Sequence, residues 1–121
     1  MRLFVLTITV VVFCLTTKAQ TCDEIMEHVK SESYGTTYIS YNSDVISKAT
    51  FYDARIDYQS YYFVIVCFKQ EYSYGCNEYI YQVGSSTKTS YSMHYKSSAG
   101  KAFWDYIEPY SDNLGCAPDF D

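Results

Sequence analysis

The chain has 121 residues, which is enough for one domain and too few for two. It carries 14 acidic and 9 basic residues, a formal net charge of −5 at pH 7, and its basic residues are scattered. An acidic surface repels phosphate backbones and anionic lipid headgroups, so nucleic acid is not an expected partner.

The first 19 residues have the order of a secretory signal peptide. Arg2 gives a positive start, residues 3–15 are mostly apolar, and Thr17 and Ala19 place small residues where signal peptidase reads. The apolar run is too short to span a bilayer, so we expect no stable membrane anchor. Cleavage would leave residues 20–121 as a single domain that is secreted or periplasmic. Loss of Arg2 and Lys18 would make this domain more acidic still.

The cysteines predict two disulfide bonds. Cys14 lies in the leader, and an even number remains in what would be a small exported domain. The sequence has no C-x-x-C pair and no histidine near a cysteine, so we expect neither a metal site nor a cofactor. We favour Cys22–Cys116, which would join the chain ends, and Cys67–Cys76, which would bridge a hairpin. Other pairings of the four remain possible.

The first predicted element is a helix that begins at Thr21. Glu24 follows at the spacing of a capping box, and Gly35 is a natural stop. Apolar residues recur along one helical face at Cys22, Ile25, Met26 and Val29.

Three strands are predicted next, at residues 45–54, 60–69 and 76–83. A turn at 55–59 and a polar loop at 70–75 separate them, whereas residues 36–44 could be an edge strand or a loop. Residues 60–69 are apolar on both faces, which indicates a central strand covered by the first helix on one side and the last helix on the other.

The remaining segment ends in a second helix. Residues 89–95 alternate with period two and predict a fourth strand, although Tyr91 and Tyr95 are four apart and would also suit a helix. Ser97 and Ser98 offer an N-cap for a helix over 99–108, which Pro109 ends. The predicted fold is therefore a small α+β domain: an antiparallel sheet of three to four strands, an N-terminal and a C-terminal helix, and two disulfides.

Residues 43–110 contain blocks that resemble the KTSC domain, a short domain also found near the C-terminus of some lysyl-tRNA synthetases. The blocks are Phe51-Tyr52-Asp53, then Val64, Val66 and Phe68, then Tyr79-Ile80-Tyr81 before Val83, and finally the most specific one, residues 97–107 with Tyr110. The sequence departs from the family at Gly84, where the family has proline. The resemblance implies a KTSC-like domain but no catalytic residues, because the family has no firmly assigned activity.

The motifs favour a binding function over an enzymatic one. The chain holds 15 tyrosines, a residue type enriched at interfaces. The predicted function is a non-enzymatic interaction module that contacts a protein or glycan in the cell envelope or outside the cell. Its candidate contact residues are Tyr72, Tyr74, Tyr91, Tyr95 and Trp104.

The alternative function is a small hydrolase-like enzyme that uses His94 with a nearby carboxylate. Hydroxyl residues surround His94 in the sequence, but a nucleophile needs a base that a third group holds in place. No such order is evident, and we interpret His94 as a surface residue.

Overall fold

The computed structural model describes residues 21–71 and 74–120. The predicted signal peptide and Tyr72 lie outside the described residues. Within them, no helix is both long and apolar enough to cross a membrane.

Helices lie on both sides of one antiparallel sheet with strand order β1-β2-β3-β4. In chain order the elements are helix α1 (Thr21–Glu32), strands β1 (Gly35–Ile39), β2 (Ile46–Ile56), β3 (Gln59–Lys69) and β4 (Cys76–Val83), helices α2 (Thr87–His94) and α3 (Ala99–Tyr106), a 3-10 turn (Glu108–Tyr110), and the short helix α4 (Ser111–Leu114). The predicted α+β fold is confirmed. The tail from residue 111 begins with a helical turn.

The central strand β3 is covered on both faces, as predicted. On one face Phe63 and Ile65 pack with Ile80 and with Val29 of α1. On the other face, Val64 and Val66 pack with core residues from two helices, α2 and α3: Tyr91, Ala99, Ala102, Phe103 and Ile107. The sheet therefore lies between α1 and the α2–α3 pair.

Two disulfide bonds join the predicted pairs. The Cα atoms of Cys22 and Cys116 are 5.8 Å apart, and those of Cys67 and Cys76 are 5.3 Å apart. The first bond ties the start of α1 to the segment after α4. The second links β3 to β4 beside the loop that connects them.

The predicted fourth strand at residues 89–95 is wrong, because this segment lies in and just after helix α2. Tyr91 and Tyr95 stack on the same side, with ring centroids 5.6 Å apart and planes 8° from parallel. Thr87 and Tyr91, also four apart, are both buried. Helical spacing therefore governs this segment, and β1 supplies the fourth strand from the region that the sequence left open.

Candidate functional site

Two of the predicted contact tyrosines belong to the core. Tyr91 is completely buried, so its prediction as a contact residue is wrong. It packs against Phe51 and Tyr38 with centroids 5.5 and 6.3 Å away. Tyr95 is half-buried, and its ring lies 5.2 Å from that of Tyr38. Both side chains thus pack α2 and the residue that follows it against the sheet.

Burial also controls the ionisation of Tyr91. Desolvation raises the pKa of its phenol to about 12, and the neighbouring Ser40 side chain partly opposes that shift. The Ser40 hydroxyl is itself buried, and it lies near the phenol but outside hydrogen-bonding geometry. Tyr91 is therefore a core residue by its burial and ring contacts, and its phenol stays protonated at neutral pH.

The exposed tyrosines stand in loops at both ends of the sheet. Tyr74, in the β3–β4 loop, is fully exposed as predicted, and Tyr41 in the β1–β2 loop is exposed at the same end. Tyr34 and Tyr58 are exposed at the other end and are not among the predicted contact residues. Because the sheet separates the two groups, the exposed tyrosines do not form one continuous surface.

Trp104 and Phe120 form an aromatic platform on the surface of α3. Their ring centroids are 5.3 Å apart, and the two side chains are 51% and 48% exposed. Both rings rest on the buried Phe103, at 5.5 and 5.9 Å, and Phe120 also contacts Phe68 of β3 at 5.6 Å. The core therefore holds these two half-exposed rings in place.

Local sequence explains how the platform arises. Phe103 faces the sheet, and the next residue of a helix points about 100° away, which brings Trp104 to the surface. The Ser98 hydroxyl caps α3 by accepting a 3.1 Å hydrogen bond from the Lys101 amide. Phe120 comes from the tail, and the Cys22–Cys116 bond restrains this segment four residues earlier.

Phe120 is the residue of the platform that sequence reasoning missed. Its only signal in the sequence is that it is the one aromatic residue after Tyr110, four residues after a cysteine. Contact with Trp104 follows from the path of the tail across α3, which no local spacing encodes.

A charged pair lies beside Trp104 on α3. Lys101 Nζ and Asp105 Oδ2 are 2.9 Å apart, one helical turn from each other. The hydrogen bond to Asp105 raises the pKa of the Lys101 ammonium. Both side chains are well exposed, so they add hydrogen-bonding groups next to the aromatic platform without being needed by the core.

A groove of about 550 Å³ lies between the β1–β2 loop and the link from α2 to α3. Tyr41, Asp44 and Tyr95 contribute to its walls, with Lys96 of the α2–α3 link and Gly100 at the start of α3. The groove includes residues 97–100, at the start of the block that most specifically resembles the KTSC domain.

His94 has no catalytic partner among its contacts. Its Nδ1 atom lies 2.8 Å from the carbonyl oxygen of Ser90 in the same helix, and its ring is 5.2 Å from that of Tyr106. Neither contact supplies a nucleophile or a carboxylate. Among residues 21–71 and 74–120, no three His, Cys, Asp or Glu side chains are grouped so that they could hold a metal ion.

Comparison with known proteins gives no relative. No protein-family model, no curated protein and no solved structure matches the chain. The resemblance of residues 43–110 to the KTSC domain therefore stays a prediction from the sequence blocks.

Proposed function

We propose that this chain is an exported, non-enzymatic binding module whose contact surface is centred on the aromatic platform, Trp104 and Phe120. The partner would be a protein or a glycan in the envelope or outside the cell. The predicted signal peptide and the two disulfides support an extracytoplasmic location, because disulfides persist in oxidising compartments.

One observation supports the proposal most strongly: two half-exposed rings are fixed by contacts with the core. Side chains that are already ordered lose little conformational entropy on binding. Tryptophan is also among the residues most enriched at binding hot spots. The exposed Lys101–Asp105 pair would supply polar contacts at the rim of such a surface.

The platform carries its own reporter, because Trp104 is the only tryptophan in the chain. Residues 20–121 would be tested against an array of glycans and against proteins from the organism's own envelope and secreted fractions. Any ligand found would then be titrated while tryptophan emission is followed. For the wild-type chain we expect saturable binding with a shift of emission. Isothermal titration calorimetry, which needs no tryptophan, should show strong weakening by Trp104→Ala and Phe120→Ala.

Tyr58→Ala is the matched control for this experiment. Tyr58 is also exposed and aromatic, but it lies in the β2–β3 turn, ten residues along β3 from the Phe68 that supports Phe120. The Tyr58→Ala variant should bind the ligand as the wild-type chain does. Binding that survives both platform substitutions would contradict the proposed contact surface.

Export has a separate test. Mass spectrometry of the protein recovered outside the cytoplasm should show a chain that begins at Gln20, after removal of residues 1–19. A soluble chain that still begins at Met1 would contradict the predicted cleavage.

A further inference from the structure

The two edges of the sheet differ in how they are protected. At β4, Asn113 Nδ2 from the C-terminal segment donates a 2.9 Å hydrogen bond to the carbonyl of Gln82, and Glu78 forms an ion pair with Lys30. The strand order places β1 at the opposite edge, where Gly35, Thr36, Thr37 and Ile39 are all exposed. The β1 edge is thus the accessible one.

The register shows which main-chain groups point away from the sheet. Ser40 N–H donates to the Ser47 carbonyl at 2.9 Å, in line with the β1–β2 pairing, where Ile39 lies opposite Lys48. Hydrogen-bonded pairs alternate in an antiparallel ladder, so Tyr38 and Thr36 bond to β2 in the same way. The N–H and C=O groups of residues 35, 37 and 39 therefore point outward.

The same segment carries no charged side chain and no proline to protect its exposed edge. Residues 33–43 contain no Asp, Glu, Lys, Arg, His or Pro, although the chain as a whole is strongly acidic. Natural proteins discourage pairing at free edges with charged side chains, prolines or covering segments. Tyr34 and Tyr41 flank this uncharged strand, and both are almost fully exposed.

We propose that β1 pairs with β1 of a second copy of this chain, antiparallel about a two-fold axis at Thr37. In this register Thr37 lies opposite its own copy, and Gly35 lies opposite Ile39. Each outward N–H then meets an outward C=O of the other strand. The two sheets become one continuous sheet, and the contact is isologous.

A second copy fits this edge better than an unrelated strand for two reasons. The edge is self-complementary, because the three outward residues are centred on one residue and Gly35 leaves room opposite the larger Ile39. The net negative charge of each copy also opposes contact through other, charged surfaces, so association is confined to the uncharged strand. A five-residue strand is small for an interface, and we expect a dissociation constant of micromolar or weaker.

The test is sedimentation equilibrium of residues 20–121 over a range of protein concentrations at low and high salt. The wild-type chain should form dimers, and salt should strengthen them by screening the repulsion between acidic copies. A chain that stays monomeric at every concentration and at both salt levels would overturn the proposal.

Thr37→Pro removes an outward N–H without breaking a β1–β2 hydrogen bond, and edge strands tolerate proline. Because the two-fold axis doubles the loss, it should raise the dissociation constant by at least about tenfold. Thr37→Ala is the matched control, since it keeps the N–H and should dimerise like wild type. Ile39→Lys gives a second variant, which should dissociate the dimer by placing charge at the edge. Dimerisation unchanged in both variants would place the interface elsewhere.

A competition experiment separates a second copy from other occupants. A synthetic peptide of residues 33–43 should dissociate the dimer, whereas a scrambled peptide of the same composition should not. Equal competition by both peptides would show a general acceptor of extended chains and would contradict the proposed self-pairing.

Discussion

At the scale of single residues, burial limits the hydrogen bonding and the ionisation of the tyrosine hydroxyls. The hydroxyls of Tyr81 and Tyr91 are buried without a hydrogen-bond partner among the described residues. Desolvation is the main reason that the pKa of each phenol is raised. Tyrosines that the sequence pattern cannot tell apart therefore divide into core residues, such as Tyr91, and free surface residues, such as Tyr74.

The raised pKa of Tyr91 predicts a loss of stability in alkali. Below pH 10 the phenol is protonated in both states, so its contribution is fully present. Above pH 10 the unfolded chain releases the proton first, whereas the folded protein keeps it until about pH 12. The free energy of unfolding should fall across this window by an amount on the order of 1–3 kcal/mol.

Denaturant unfolding at a series of alkaline pH values measures this effect. Tyr91→Phe should flatten the decline, and Tyr74→Phe, at an exposed position, should not change it. An equal slope in wild type and Tyr91→Phe would refute the assignment.

Replacing glycine with alanine should have opposite effects on stability at Gly35 and at Gly100. A Cβ at Gly35 would lie 2.5 Å from Thr50 Cγ2 and 2.8 Å from the Tyr52 ring, whereas a Cβ at Gly100 would meet nothing within 4 Å. Gly35→Ala should therefore destabilise the protein by about 1–3 kcal/mol through overpacking. Gly100→Ala should raise stability by up to about 1 kcal/mol, because alanine favours the helix. Thermal unfolding of the two variants side by side measures both effects.

At the scale of elements, α2 shows the limit of periodicity in a short segment. Within residues 89–95 large side chains alternate, as in a strand, and Tyr91 and Tyr95 are also four positions apart, as in a helix. Both structures therefore fit the spacing. The aromatic contacts decide the outcome: the helix lets Tyr91 reach Phe51 and Tyr38 together. By contrast, the longer apolar run of β3 was predicted correctly, because it is rich in β-branched and aromatic residues and is bounded by a turn and a polar loop.

The Ser98 cap of α3 gives a prediction about the stability of this helix. Ser98→Ala removes the hydroxyl that accepts from the Lys101 amide and should cost about 1 kcal/mol. Ser97→Ala, one residue earlier and outside the cap position, should cost much less. Chemical denaturation measures the difference, and an equal loss in both variants would show that the cap is not what stabilises α3. The platform should also loosen in Ser98→Ala, since α3 carries Trp104.

At the scale of the whole molecule, the Cys22–Cys116 bond closes almost the entire described chain. Its cysteines are 94 positions apart, against 9 for Cys67–Cys76. Loop-closure entropy grows with loop length, so removing the first bond should be the more costly change. We expect Cys22→Ala with Cys116→Ala to lose about 2–5 kcal/mol of unfolding free energy, and the other double variant to lose less.

Urea unfolding of both double variants without reductant tests this order. A larger loss for Cys67→Ala with Cys76→Ala would show that native-state contacts outweigh chain entropy here. The first variant should also release Phe120 from Trp104, which would shift the tryptophan emission.

Much of the fold was predictable because it depends on local sequence patterns. The start of α1, the strands β2 to β4 and the capped start of α3 depend on capping spacing, turn residues and apolar periodicity within a few residues. An even number of cysteines predicted two disulfides, and their placement at the chain ends and across one hairpin favoured the pairing that the structure contains. The exposure of Tyr74 followed from its loop.

The sequence by itself thus determined the order of most elements, which depends on neighbours along the chain, and it restricted the disulfides to pairings among four cysteines. Only the tertiary structure decided that residues 87–94 are helical, that Tyr91 is buried, and that Phe120 meets Trp104 at the surface. Burial depends on side chains far away in sequence, which compete to cover the same sheet. Local spacing is consistent with several such arrangements, and the packing of distant elements selects one of them.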